Sequence, residues 1–179
     1  MRSIFFCLSF LFFFKTFSQE LIIGSEYIEP GIEIIFEGAI KDVIIPVNTN
    51  LNQDQTNVHI EARVNWGEKD IPKGAPKGGF IPYLRINSII TNQSNGLKTF
   101  IDLIPHLNLI DNFHYARNIS LPGEIDDLYT VEFMVNGPSK YDLAYHKDWV
   151  EINENKFIED IKFEYRDIDF KVIAKSSRK

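Results

Sequence analysis

The sequence predicts an all-β protein with an immunoglobulin-like antiparallel β-sandwich. Three observations carry that expectation. Short runs rich in β-branched and aromatic residues recur along the chain, broken by Asn-, Gly- and Pro-bearing turns. Val58–Trp66 alternates strictly, with Val58, Ile60, Ala62, Val64 and Trp66 on one face and His59, Glu61, Arg63 and Asn65 on the other. No stretch of useful length carries a clean helical period. Several short strands in about 160 residues fit two packed antiparallel sheets.

The elements follow in order. Ile32–Glu37 and Asp42–Val47 are β-rich runs, and Asn48–Gln55 is a polar loop. Val58–Trp66 has the period of a half-buried strand. Gly67–Gly79 mixes Gly and Pro without apolar periodicity and reads as a long loop. Tyr83–Thr91 and Thr99–Ile104 form a hairpin around the turn Asn92–Gly96. Tyr129–Val135 alternates again, Asn136–Ser139 interrupts it, and Asp160–Val172 returns to an extended pattern before the polar tail Ser176–Lys179.

Met1–Gln19 reads as a secretory signal peptide. Arg2 supplies the positive start, Ile4–Phe14 the apolar run, and Thr16-Phe17-Ser18 small residues at the peptidase positions. The run is shorter than the roughly 17–25 residues that span a bilayer, which argues against a retained anchor. Cys7 lies inside the apolar run, away from the cleavage point, which argues against lipidation. The expected division is therefore a signal over 1–19 and a single domain over 20–179. Loss of Arg2 and Lys15 takes the formal charge from −6 to −8. The only cysteine leaves too, so the expected domain has neither a disulfide nor a thiolate nucleophile.

Composition narrows the function classes. Aromatic content of 13 % excludes intrinsic disorder, and the acidic balance argues against nucleic acid as a partner. One short apolar run excludes a multi-pass membrane protein. Ser139 sits in Gly-Pro-Ser-Lys, which is not a nucleophile elbow, and no Gly-rich phosphate loop leads from a strand into a helix. The expectation is a protein that is not an enzyme. Asn92-Gln93-Ser94 and Asn118-Ile119-Ser120 match the glycosylation sequon, a weak pattern.

The four histidines are His59, His106, His114 and His146. His59 and Glu61 leave the same face of one strand, with Cα atoms roughly 6–7 Å apart, near enough to converge on one ion. His114 follows Asp111 by three residues in a loop-like stretch, His106 follows Pro105 past a strand end, and His146 precedes Asp148 in a polar loop. No short-range ligand pair fixes a metal site. Spacing alone leaves open both a set of ligands and a set of exposed or hydrogen-bonded histidines.

Four collinear blocks carry a resemblance. Val58-His59-Ile60-Glu61-Ala62 resembles the hydrophobic-His-hydrophobic-Glu-Ala strand of the periplasmic iron-transport protein family, copper-binding partners of a high-affinity iron permease. Gly79-Phe80-Ile81-Pro82-Tyr83-Leu84 resembles that family's G-x-[WF]-I-P-Y-L signature. Ile104-Pro105, followed by Asp111-Asn112-Phe113-His114-Tyr115-Ala116-Arg117-Asn118, is similar to its M-P-M…D-G-P-H-Y-G-x-N segment. Pro138-Ser139-Lys140 and His146-Lys147-Asp148 resemble its P-P-S-K…H-x-D loop.

The resemblance implies an exported immunoglobulin-like sandwich, a homodimer, in the periplasm, with one copper site. His59, His114 and His146 match the family's three His ligands, Glu61 its Glu, and Asp111 an Asp beside the site. His106 stands at the family's Met, and Asn112-Phe113 replaces its Gly-Pro. Imidazole in place of thioether shifts the donor set from Cu(I) towards Cu(II), with Zn(II) and Fe(II) as rivals. The expected function is metal binding in iron uptake beside an inner-membrane iron permease, with His59, Glu61, His106, His114 and His146 at the metal. The alternative is an immunoglobulin-like adhesion or carbohydrate-binding module presenting Tyr83, Tyr141, Tyr145 and Trp149. A copper oxidase or dismutase is a weaker third reading, because the paired His-x-His strand ligands of a dismutase are missing.

Overall fold

The structure, a computed structural model, describes residues 20–154 and 157–176. The leader expected over 1–19 lies outside the described residues. Among the described residues eight strands form: β1 (Glu20–Ile28), β2 (Ile32–Ala39), β3 (Val58–Trp66), β4 (Arg85–Asn92), β5 (Lys98–Leu107), β6 (Phe113–Ile119), β7 (Leu128–Asn136) and β8 (Ile161–Asp169). Two short helices, α1 (Lys147–Asn153) and α2 (Lys171–Lys175), join them. Every pairing is antiparallel, in the order β1-β2-β3-β6-β5-β4-β7-β8. The all-β antiparallel expectation holds, in an eight-stranded arrangement that comes near to a barrel.

One strand turns the sheet onto itself. β5 pairs with β4 as far as Leu103 and with β6 from Ile104 onwards. The two halves then face each other across an apolar interior. Phe36 of β2 stacks on Phe133 of β7 with ring centroids 4.0 Å apart and planes 15° from parallel, and both rings are fully buried. Burying a ring of this size contributes about 1.5–3 kcal/mol. The outer strands also approach: Tyr165 of β8 donates to Glu26 Oε1 of β1 at 2.7 Å. Gly24 makes this possible, because a Cβ there would lie 2.1 Å from the Tyr165 ring.

The strict alternation of Val58–Trp66 gives one apolar face, as expected, with Ile60, Ala62 and Val64 wholly buried. The polar face departs from the half-buried expectation, since His59 and Glu61 are each only 2 % exposed. The cause is the segment 40–52, which folds over that face. Asp42–Val47, expected as a β-run, forms no strand. Pro46 has no N–H to donate, its carbonyl accepts from Thr49 N–H in a turn, and Val43, Ile45 and Val47 are exposed. β1 had no counterpart in the sequence reading.

Two further corrections concern the histidines. His114, expected in a loop, lies within β6, and His106, expected past a strand end, lies within β5. The extended run expected over Asp160–Val172 ends at Asp169 and passes into α2. Among the described residues no helix is long and apolar enough to cross a membrane.

Candidate metal centre

The site begins with strand register. β6 sends His114, Ala116 and Asn118 to the outer face, by the two-residue alternation of a strand. Asn118 lies opposite His59 and Ala116 opposite Glu61 across β3, while His114 lies opposite His106 across β5. Three imidazoles from three adjacent strands thus surround one spot, and Ala116 contributes only a methyl group beside it.

The turn between β5 and β6 sets this register. Asn108 N–H donates to the Asn112 carbonyl, and Asn108 Oδ1 accepts from the N–H groups of Ile110 and Asp111. Asn112 adopts φ +61°, a left-handed conformation that Asn tolerates better than most side chains. It occupies the place where the resembling segment has Gly. Asp111 is held in this turn by Asn108 Nδ2, at 2.8 Å.

The Gly79–Leu84 block supports β6 from behind. Tyr115 donates to the Ile81 carbonyl at 2.8 Å and accepts from Leu84 N–H at 3.1 Å. Phe80 packs on both Phe113 and Tyr115, with centroids 5.6 and 5.1 Å away. The block therefore holds the strand that carries His114, and supplies no donor of its own.

Donor nitrogens of His59, His106 and His114 all lie within 4.8 Å of one another. The ring centroids are 5.3 Å apart for His59–His106, 6.0 Å for His106–His114 and 6.4 Å for His59–His114. Glu61 Oε1 is 3.6 Å from His59 Nε2. His114 Nδ1 donates to the Asn112 carbonyl at 3.2 Å, which leaves Nε2 as the lone-pair nitrogen of the neutral ring.

Neither nitrogen of His106 has a hydrogen-bond partner, and both are shielded from solvent. Burial, with the neighbouring His114 and Arg117, pushes its pKa down to about 4. The neutral ring keeps a lone pair at neutral pH, the state a metal requires. Buried polar atoms without partners are rare in folded proteins and mark places where an ion or water belongs. Three imidazoles and a carboxylate suit Cu(II), Zn(II) and Fe(II), so the residues fit a transition metal.

A cavity of about 460 Å³ opens onto the cluster, lined by the three histidines, Glu61, Ile104 and the covering segment from Asp42 to Asn50. Beside it, Arg63 grips the buried Glu37 with two hydrogen bonds of 2.7 and 2.8 Å. Burial pushes the Glu37 carboxyl up, against the opposing pull of Arg63. The sequence reading missed this pair and Asn118. Their signal was the alternation: Glu37 pairs with Glu61 and Asn118 with His59, on the polar face of the same sheet.

His146 is not in the cluster. It is exposed, precedes α1, and lines a separate apolar cavity with Trp149 and Phe157. Tyr145, Trp149 and Phe157 stack there. Neither sequon is open to modification in this fold, because Asn92 is fully buried and Asn118 is 3 % exposed.

Fold and site together define an all-β protein built around a candidate transition-metal centre. The chain belongs to the Fe2+ transport protein family, whose model matches residues 17–172. It is similar in structure to a copper-bound variant of FetP from uropathogenic Escherichia coli strain F11, with a TM-score of 0.68, 22 % identity, and 82 % of this chain and 95 % of that one covered. It is also similar to the copper-reconstituted P19 protein of Campylobacter jejuni, with a TM-score of 0.68, 25 % identity, and coverage of 82 % and 94 %. Among curated proteins it matches the 34 kDa membrane antigen of Treponema pallidum (strain Nichols), 26 % identical over 97 residues. That match spans 54 % of this chain and about half, 47 %, of the relative.

Proposed function

We propose that the protein binds copper at His59, His106 and His114 with Glu61 alongside, and serves iron uptake beside an inner-membrane iron permease. The observation that carries this reading is the convergence of three imidazoles from three strands, one of them with both nitrogens buried and unpartnered. The copper-bound state of FetP and P19 supports copper as the metal. Zn(II) and Fe(II) are the competing ions for an all-nitrogen set with a carboxylate.

Each residue has a part in that reading. His59 and His114 offer nitrogens from inside strands, where the backbone holds them in place. His106 adds a neutral imidazole at the position of the family's Met. Glu61 offers a carboxylate at the cavity wall, suited to an incoming cation. A bound copper ion would supply one-electron cycling between Cu(I) and Cu(II).

The proposal extends to location and assembly. The leader 1–19 directs export to the periplasm, residues 20–179 form a single immunoglobulin-like domain, and that domain works as a homodimer. His146 stands outside its own chain's cluster. As a metal ligand it would reach a site from a second copy, since it is exposed just ahead of α1.

Calorimetric titration of the exported protein with Cu(II) tests the reading. One tight site per chain is expected, and His114→Gln is expected to weaken it by at least about 100-fold, beyond the range seen for outer-shell partners. Unchanged affinity in His114→Gln would reject the site.

A further inference from the structure

We propose that Asn118 is a positioning residue that fixes which nitrogen of His59 faces the cavity, and that it ties this choice to the segment covering the site. The inference rests on the metal reading only in treating that nitrogen as a donor atom.

Asn118 is buried on β6, directly opposite His59 on β3. Its side-chain nitrogen lies 2.9 Å from the Asp42 carbonyl and 2.9 Å from the Leu51 carbonyl. Carbonyl oxygens only accept, so the NH2 group must be on that side. The reverse orientation would press an amide oxygen against two carbonyl oxygens in a buried place. Asn118 Oδ1 is thereby turned towards His59, 2.7 Å from Nδ1.

An amide oxygen also only accepts, so His59 Nδ1 carries the hydrogen. The lone pair of the neutral ring is then at Nε2, the nitrogen 3.6 Å from Glu61 Oε1. The opposite tautomer would set two acceptors 2.7 Å apart with no proton between them. Two backbone carbonyls thus determine, through one amide, the donor atom of a strand histidine.

The same two carbonyls bracket the cover. Asp42 and Leu51 are the shoulders of the segment that lines the cavity with Val43, Ile44, Ile45, Thr49 and Asn50. Moving that segment withdraws the partners that hold the amide, and turning the amide releases the segment. Outer-shell hydrogen bonds of this kind fix the tautomer and orientation of a ligating imidazole, and their loss costs about 10–100-fold in metal affinity.

Two variants separate the roles. Asn118→Asp keeps an acceptor for His59 and removes both donors to the cover. Asn118→Leu removes acceptor and donors together. Long-range proton–nitrogen correlation spectra of metal-free, nitrogen-15-labelled protein at neutral pH read the tautomer directly. His59 is expected as Nδ1–H in the wild type and in Asn118→Asp, with Nε2–H signal appearing in Asn118→Leu. Amides of 42–51 are expected to exchange faster in both variants. Cu(II) affinity is expected to fall about 10–100-fold in Asn118→Leu. An Nε2–H tautomer in the wild type, or a pure Nδ1–H ring in Asn118→Leu, would overturn the proposal. Should Asn118→Leu not fold, the wild-type and Asn118→Asp spectra still decide it. Failure of the wild type to bind Cu(II) would overturn the metal reading instead, and is told apart because the tautomer is read without metal.

Discussion

His106 and His114 are directly paired residues of β5 and β6, with ring centroids 6.0 Å apart. The pairing is closed by the turn at Asn108–Asn112, so the distance between two candidate ligands is fixed by backbone hydrogen bonds rather than by a flexible loop. A shift of one residue in this hairpin would send one imidazole to the opposite face.

The identity of residue 106 is expected to govern metal preference. His106→Met introduces a soft thioether among imidazoles, so Cu(I) affinity rises relative to Cu(II) and Zn(II) binding weakens. Competition against a calibrated Cu(I) chelator measures it. Equal Cu(I) affinities in the two proteins would place His106 outside the coordination sphere.

His106 in the metal-free protein should titrate near pH 4, far below the ordinary value of 6.5. Burial is the main cause, followed by the charges of His114 and Arg117. Between those two values the unfolded chain binds a proton that the folded site refuses. This contribution to stability is therefore present above pH 6.5 and lost as pH falls towards 4. Nuclear magnetic resonance titration of the His106 ring protons gives the midpoint, and a value near 6.5 would contradict the burial.

His146→Ala should leave Cu(II) affinity unchanged in dilute, monomeric protein and lower it in the dimer. Calorimetry at concentrations on either side of the dissociation measured by ultracentrifugation makes the comparison. A loss of affinity in the monomer would mean that His146 reaches its own chain's site.

Tyr115→Phe removes a buried hydroxyl that serves both the Ile81 carbonyl and Leu84 N–H. Burial pushes its pKa up to about 12, so the wild-type hydroxyl stays protonated as a donor. Two backbone groups lose their partner, at a cost of about 1–3 kcal/mol each at most. Urea unfolding should register a loss of that order, with Cu(II) affinity reduced only as β6 loosens. A midpoint equal to the wild type's would show that water or neighbouring groups replace the hydroxyl.

The sequence by itself determined the strand class and pointed to much of the candidate histidine cluster. Alternation over Val58–Trp66 placed His59 and Glu61 on one face, because successive side chains of a strand must point to opposite sides. The four collinear blocks led to the family, and the resemblance singled out His59, His114 and His146 and, at the family's Met, His106. What sequence could not supply was which face would be covered and which remote segments would meet. Asp42–Val47 has strand composition, yet it becomes the cover, because Pro46 turns it and Asn118 fastens its two shoulders. Asn118 is legible in the sequence as a sequon residue and as the last residue of a family block, but only the pairing of β6 with β3 puts it across from His59. His146 shares the chemistry of the other three but not their strands, and only tertiary structure separates it from them. Local periodicity fixes the side of a strand on which a residue lies; the partner strand and its register, set by distant turns and by packing, decide what that residue meets.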